Sequence, residues 1–454
     1  MKKVAIGGGQ GFWGDSPDAA IHMIRNADIQ YMGCDYLAEL TLSIMAKQQL
    51  KDPTKGFAPD FTTRILKEAG KEAWDKHIRI CTNAGGMNIN GCVDGIRQWA
   101  EGNSMSGYKI GYVTGDNIKD KIPQLLKDGW TFPNFDYDGN FNDILDKIYN
   151  CNVYIGHEGI EGCLAEGADV VITGRAADSA LFLAPLKYEF GWAADDWDNL
   201  ARGIMAGHLL ECAGQVTGGY FADPGYKDVP DLWKLGFPLI EIDETGAFTV
   251  TKVEGSGGLV SVDTCKEQMI YEIHNPKAYL TPDATADFSK VTFRQIGENQ
   301  VRAEHATTHG RPETLKVSVG YKDCFIGEGE ISYGGSNCMA RAELAAEILE
   351  KRIELTGIEL EEYRTDFIGC NSLYRDAISK KIGSGTPCEV RLRAAGRTKD
   401  RKNAVLLANE VEALYTNGPA GGGGAVKRVS EIVSVCSIFV PRDAVEAKVT
   451  FREV

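Results

Sequence analysis

The sequence predicts an α/β protein, with an N-terminal, mostly parallel open sheet and flanking helices followed by a smaller C-terminal α+β domain. Two observations carry this. Through the first half, short β-rich runs alternate with amphipathic stretches long enough to be crossover helices. From about "YLTPDATADFSKVTF" the texture changes to closely spaced strands, "KVTFRQIG", "QVRAEHA" and "LKVSVGY", and then the long helical pattern "CMARAELAAEILEKRIEL". At 454 residues the chain exceeds what one hydrophobic core usually supports, so two domains are expected, 1–284 with the ligand site and 285–454 ending in a Gly-rich loop and a β-rich tail.

The first strand, "KVAIGG", runs into a glycine-rich stretch that continues through Gly9 and Gly11, and the first helix is marked by "GDSPDAA", with Ser16 as N-cap and Pro17 behind it. Glycines let the backbone turn sharply and present N–H groups to an anion, which makes Gly8, Gly9, Gln10, Gly11 and Asp15 candidate substrate-binding residues. The same stretch matches G-x-G-x-x-G at Gly9, Gly11 and Gly14, with Asp35 closing the second strand "IQYMGCD". Bulky Phe12 and Trp13, and a helix starting beyond the glycines, argue against a pyrophosphate there.

The helix "DYLAELTLSIMAKQQ" leads to the third strand and turn, "IRICTNAGGMN", where Asn83, Gly85, Gly86 and Asn88 form either a donor-rich ligand loop or a tight turn into "CVDGIRQWAEG". The fourth strand, "KIGYVTGD", ends at Asp116. The segment "YIGHEGIEGCLAEGADVVITGRAADSALFLAPL" gathers His157, Glu158, Arg175, Asp178 and Ser179 around a helix and the fifth strand. Arg175 leaves that strand either as a two-pronged clamp on a substrate carboxylate or phosphate or as an ion-pair partner of Asp178. His157 beside Glu158 suits a general acid or base, because imidazole titrates near neutral pH, and it equally suits a structural histidine. "HLLECAGQVTGGYFAD" adds Glu211 as a candidate base, and Gln215, Thr217, Gly218 and Gly219 as a candidate loop, with Cys212 read as a buried thiol. Glu254 sits in another glycine turn, and Gly422 and Gly423 repeat the theme near the C-terminus. In open parallel sheets ligands bind beyond the carboxyl ends of the strands, so one crevice is expected to collect these residues.

Composition narrows the function classes. A net charge of −15 argues against unaided nucleic-acid binding, and the basic run "RLRAAGRTKDRK" reads as a solvated turn. No apolar run is long enough to span a bilayer, and Val4–Ile6 is far too short for a signal-peptide core, so a cytoplasmic protein without membrane contact is expected. Twelve cysteines occur singly, as reduced buried thiols do. No H-x-x-x-H, H-E-x-x-H or C-x-x-C spacing is present, although carboxylates assembled by the fold are able to hold a divalent ion.

Together "GGGQGFWGDSPDAA", "TNAGGMN", "GADVVITGRAADSALFLAPL", "ECAGQVTGG" and "LYTNGPAGGGG" resemble the acyclic terpene utilisation (AtuA-like) family over most of the chain. The resemblance implies degradation of acyclic terpenoid or related branched acids as coenzyme A thioesters. It carries the family's Gly-rich and polar loops onto Gly7–Gly11, Asp15, Asn83–Asn88, Arg175–Ser179, Gln215–Gly219 and Gly421–Gly424, whereas "GHEGI" at 156–160 is less typical. The reading is a catabolic enzyme acting on a small organic acid or its coenzyme A thioester, a hydratase-type lyase with His157, Glu158, Asp178 and Glu211 as candidate catalytic groups. The alternatives are a dinucleotide-dependent oxidoreductase and a non-catalytic acyl-ligand-binding subunit. A small anionic substrate, homo-oligomers and a small partner subunit are the expected partners.

Overall fold

The computed structural model describes residues 2–133, 139–383, 385 and 387–454. The chain forms two compact units, residues 1–320 with 435–454, and residues 321–434. Beside the sequence-based division after residue 284, the strands that follow that position, up to Thr307–Thr308, fall within the first unit.

The first unit is built on a ten-stranded sheet in the order Thr292–Gly297, Gln300–Glu304, Phe248–Lys252, Pro238–Asp243, Lys3–Gln10, Tyr31–Cys34, Arg79–Thr82, Val170–Thr173, Lys109–Thr114, Lys448–Glu453. The run from Lys3–Gln10 to Lys109–Thr114 is parallel and matches the five strands read from the sequence. Antiparallel strands extend it on both sides, including the tail strand Lys448–Glu453 against Lys109–Thr114. Because side chains alternate across a strand, Val170 and Ile172 enter one core while Val171 enters the other. The first of these cores receives helices Pro17–Asn26 and Ile89–Gly102, the second receives Ala180–Phe190 and Trp197–Leu210. Ala180–Phe190 is buried from Ala180 through Leu186, which is why "ALFLAPL" carries no polar stripe.

The glycine run at the N-terminus is strand, not loop. Lys3–Gln10 continues through Gly7, Gly8 and Gly9 because its neighbours leave no room for side chains. A Cβ on Gly8 would lie 2.5 Å from the Leu210 carbonyl oxygen, and one on Gly9 would lie 2.7 Å from Cys34 Sγ. The helix then begins at Pro17 behind Ser16, as its sequence signals predict.

In the second unit, Glu362–Ile368 and Glu389–Thr398 pair antiparallel, and Glu389–Thr398 also pairs with Thr314–Gly334 through Phe325–Gly334. Helices Cys338–Thr356 and Arg401–Asn417 cover one face through Ala342, Leu349, Leu407, Val411 and Leu414. The basic run is strand and helix start rather than a turn. Arg391, Arg393 and Arg397 pair with Glu330, Glu328 and Asp323, and Asp400 caps the helix by accepting from Lys402 N–H. Among the described residues no helix is long and apolar enough to cross a membrane.

Candidate functional site

The five parallel strands end at Gln10, Cys34, Thr82, Thr114 and Thr173, and residues just beyond three of them, Gly11, Asp35 and Arg175, line one cavity of about 530 Å³. Eight of the candidate residues line it: Gly11, Asp15, Asp35, Arg175, Asp178 and Glu211, with Gln215 and Gly219 on the rim. A smaller cavity of about 200 Å³ shares Glu39, Tyr154, Asp178, Glu211 and Glu272 with it and adds His208 and Lys316.

Arg175 is the centre of the floor, 1% exposed. Its N–H donates to Asp116 Oδ2 (2.8 Å), Nε donates to the Ala176 carbonyl (2.7 Å), Nη1 to the Leu37 carbonyl and Nη2 to Asp178. The guanidinium also lies 4.5 Å over the Tyr154 ring. Both sequence readings of Arg175 are therefore relevant: it faces the cavity, and it is ion-paired with Asp178. Asp35 accepts from Leu37 N–H (3.0 Å) and from Asn83 Nδ2 (2.6 Å), while Asn83 Oδ1 accepts from Tyr36 N–H (2.7 Å). Glu211 Oε1 lies 2.5 Å from His208 Nδ1, and its Oε2 is buried with no hydrogen-bond partner among the described residues.

One carboxyl oxygen each from Asp35, Asp178 and Glu211 lies within 4.8 Å of the others. Burial first, and then the charge of Asp178, pushes Asp35 and Glu211 well above the usual carboxylate range. Glu39 behaves oppositely: burial works against its charge, but Lys316 at 3.2 Å and the Tyr154 hydroxyl hold it down at about 2. Burial pushes His208 down to about 4 and the Cys212 thiol up, so Cys212 has no nucleophile's environment.

The remaining candidates line neither cavity. Gly8, Gly9 and Gln10 are strand residues, and Gln10 Nε2 donates to the Ser16 carbonyl (3.0 Å). The anion on the Gly11 N–H is the chain's own Asp15, whose Oδ2 accepts from it at 3.1 Å. Gly85 packs against the Thr173 carbonyl, Gly86 takes a positive φ of 49° against Met45, and Asn88 caps the helix Ile89–Gly102. This is the tight-turn reading of that loop. Ser179 lies at the start of Ala180–Phe190 with its hydroxyl buried, Thr217 donates to the Gly214 carbonyl, Gly218 turns with a φ of 103°, and Glu254 is exposed. Gly422 and Gly423 belong to the second unit, where a Cβ on Gly422 would press on Ile331 and Tyr333.

His157 and Glu158 line neither cavity. His157 Nδ1 and backbone N–H both meet Asp283 Oδ1, at 2.7 and 3.0 Å, and Glu158 pairs with Arg311. Burial opposes the imidazolium, yet Asp283 raises it above its ordinary value. Sequence reasoning passed over Glu39, Tyr154, His208 and Glu272. His208 and Glu211 do carry a signal, since i and i+3 share a helix face in "HLLE". Glu39 opens a helix directly after the second strand, where a crevice residue is expected.

Six acidic side chains line the larger cavity, Asp15, Asp35, Glu39, Asp178, Glu211 and Glu272, and Arg175 is the one basic residue among its described lining. Its apolar lining includes Phe12, Leu235, Phe237 and Tyr271. The chain finds no match among curated proteins or solved structures. The family model described as acyclic terpene utilisation family protein AtuA matches residues 4–451, so the chain belongs to that family, which implies a role in acyclic terpene catabolism.

Proposed function

We propose that the protein is a hydratase-type lyase acting on a branched, unsaturated acyl group presented as a thioester. The observation that carries this reading is the convergence of Asp35, Asp178 and Glu211 at the floor of a cavity whose lining is partly apolar. A floor where Glu39 stays charged, and where the one arginine among the described lining already has Asp178 as partner, offers no free cation to a carboxylate and accepts the neutral acyl end of a thioester. This favours the coenzyme A thioester over the free acid. The apolar lining formed by Phe12, Leu235, Phe237 and Tyr271 suits a branched hydrocarbon chain.

In the forward direction a water oxygen bonds to the β-carbon of the alkene as its proton passes to the carboxyl cluster. The α-carbon then takes a proton from the cluster, so the cluster ends as it began and one water is added. The test is incubation of purified protein with thioesters of branched 2,3-unsaturated acids and with the free acids, read by mass spectrometry as gain of one water. Hydration of a thioester is expected, and Asp178→Asn is expected to lower kcat/KM by ~10²-fold or more. No hydration of any thioester by folded protein, or full turnover by Asp178→Asn, overturns the reading.

A further inference from the structure

We infer that Asp35, Asp178 and Glu211 form a binding site for one hard divalent cation, Mg²⁺ or Mn²⁺. One oxygen from each of three carboxyl groups lies within 4.8 Å of the others; ionising all three together is costly, which favours protons on Asp35 and Glu211, and a cation between them takes the place of those protons. Two further observations point to a ligand rather than to an acidic patch alone. Glu211 is 6% exposed, and with Oε1 at His208 its second oxygen, Oε2, is buried and unpartnered among the described residues, although Glu211 lines both cavities. Such an atom is rare in a folded protein because it forfeits its water without replacement.

The second observation is the charge balance. Arg175 answers Asp178 and Lys316 answers Glu39, while Asp15, Asp35, Glu211 and Glu272 have no lysine or arginine ion-pair partner among the described residues. All-oxygen ligands select hard cations, and no thiolate or free imidazole joins the set to favour zinc or copper. Each of the three carboxyl groups offers one oxygen, which leaves the other for its hydrogen bond or for proton transfer. The outlook onto an open cavity leaves room for waters to complete the coordination shell, as Mg²⁺ requires.

The inference rests on the lyase reading only for what the cation would serve, and its test uses no substrate. Purified full-length protein is stripped with chelator and titrated with MnCl₂ alone, with bound Mn²⁺ read by electron paramagnetic resonance and stability by melting. One tight site per chain and a raised Tm are expected. Glu211→Gln and Asp35→Asn, each checked for folding by melting, are expected to weaken that site at least ~10-fold, and Glu298→Gln, at an exposed position outside both cavities, is expected to leave it unchanged. Should one of the cluster variants fail to fold, the other decides. Absence of bound Mn²⁺ at millimolar metal, or equal binding by wild type and both folded cluster variants, overturns the site. A bound cation without hydration activity would count against the lyase reading and leave the site standing.

Discussion

Replacing Arg175 by lysine tests what the guanidinium does at the floor of the cavity. The side chain is 1% exposed and donates to the Ala176 and Leu37 carbonyls as well as to Asp178. Lysine keeps the charge and can satisfy Asp178, but a single ammonium on a thinner stem does not reproduce the fork, so the two buried carbonyls lose their donors. At ~1–3 kcal/mol for each buried acceptor left unmet, the loss amounts to about 2–6 kcal/mol. With ~2 °C per kcal/mol for a unit of this size, Tm falls by roughly 4–12 °C. The assay is differential scanning calorimetry beside steady-state hydration kinetics. Because the same fork sets the position of Asp178, turnover is expected to fall together with stability. An unchanged Tm with unchanged turnover would refute the account. An unchanged Tm with lost kcat/KM would show instead that the guanidinium clamps substrate and has no part in holding the wall.

Three more expectations follow from the same geometry. Gly9→Val places methyl groups against Cys34 Sγ and Met32 Sδ, so it should destabilise the fold by ~1–3 kcal/mol, measured by denaturant titration; a stable variant would mean the strand has slack. Saturating NADH should leave Tm unmoved, since the Gly11 N–H is taken by Asp15 and the Asp35 carboxylate by Leu37 and Asn83, and a clear upward shift would restore the dinucleotide reading. The His157–Asp283 pair, with Glu158, Glu161 and Arg311 around it, should make stability pH-dependent. His157 is raised above 6.5, so its contribution is full below that value and is lost as pH rises through the raised one. Asp283 is lowered below 3.8, so its contribution is full above that value and is lost as pH falls through the lowered one. Asp283→Asn should therefore cost most between about pH 4 and 6.5, by ~3–5 kcal/mol for a broken buried pair, and a deficit independent of pH would remove the titrating pair from the account.

The order of the central strands' chemistry was written locally, and this is why it was legible. Apolar β-rich runs that close in Asp35, Asn83, Asp116 and Arg175 announce a parallel sheet with its polar residues at the carboxyl ends, and the sheet holds them there. Start signals such as Ser16-Pro17 were equally local, and the helix begins where they say. What each strand-end residue does was a different matter. Asn83 and Asp116 hold their neighbours, while Asp35 and Arg175 face the cavity, because those roles depend on which partners lie within 3 Å after crossovers of tens of residues. The glycines of the first strand could not be told from a ligand loop, since the reason for them is the Leu210 carbonyl and the Cys34 sulfur, which only packing brings to Gly8 and Gly9. Glu39, Tyr154 and Glu272 complete the cavity from three distant segments, and His157 is drawn away from it by Asp283, 126 residues further on. Periodicity and turn chemistry act over a few residues and so fix the elements. Burial and charge act through space, and only the folded chain decides which carboxyl groups share one floor.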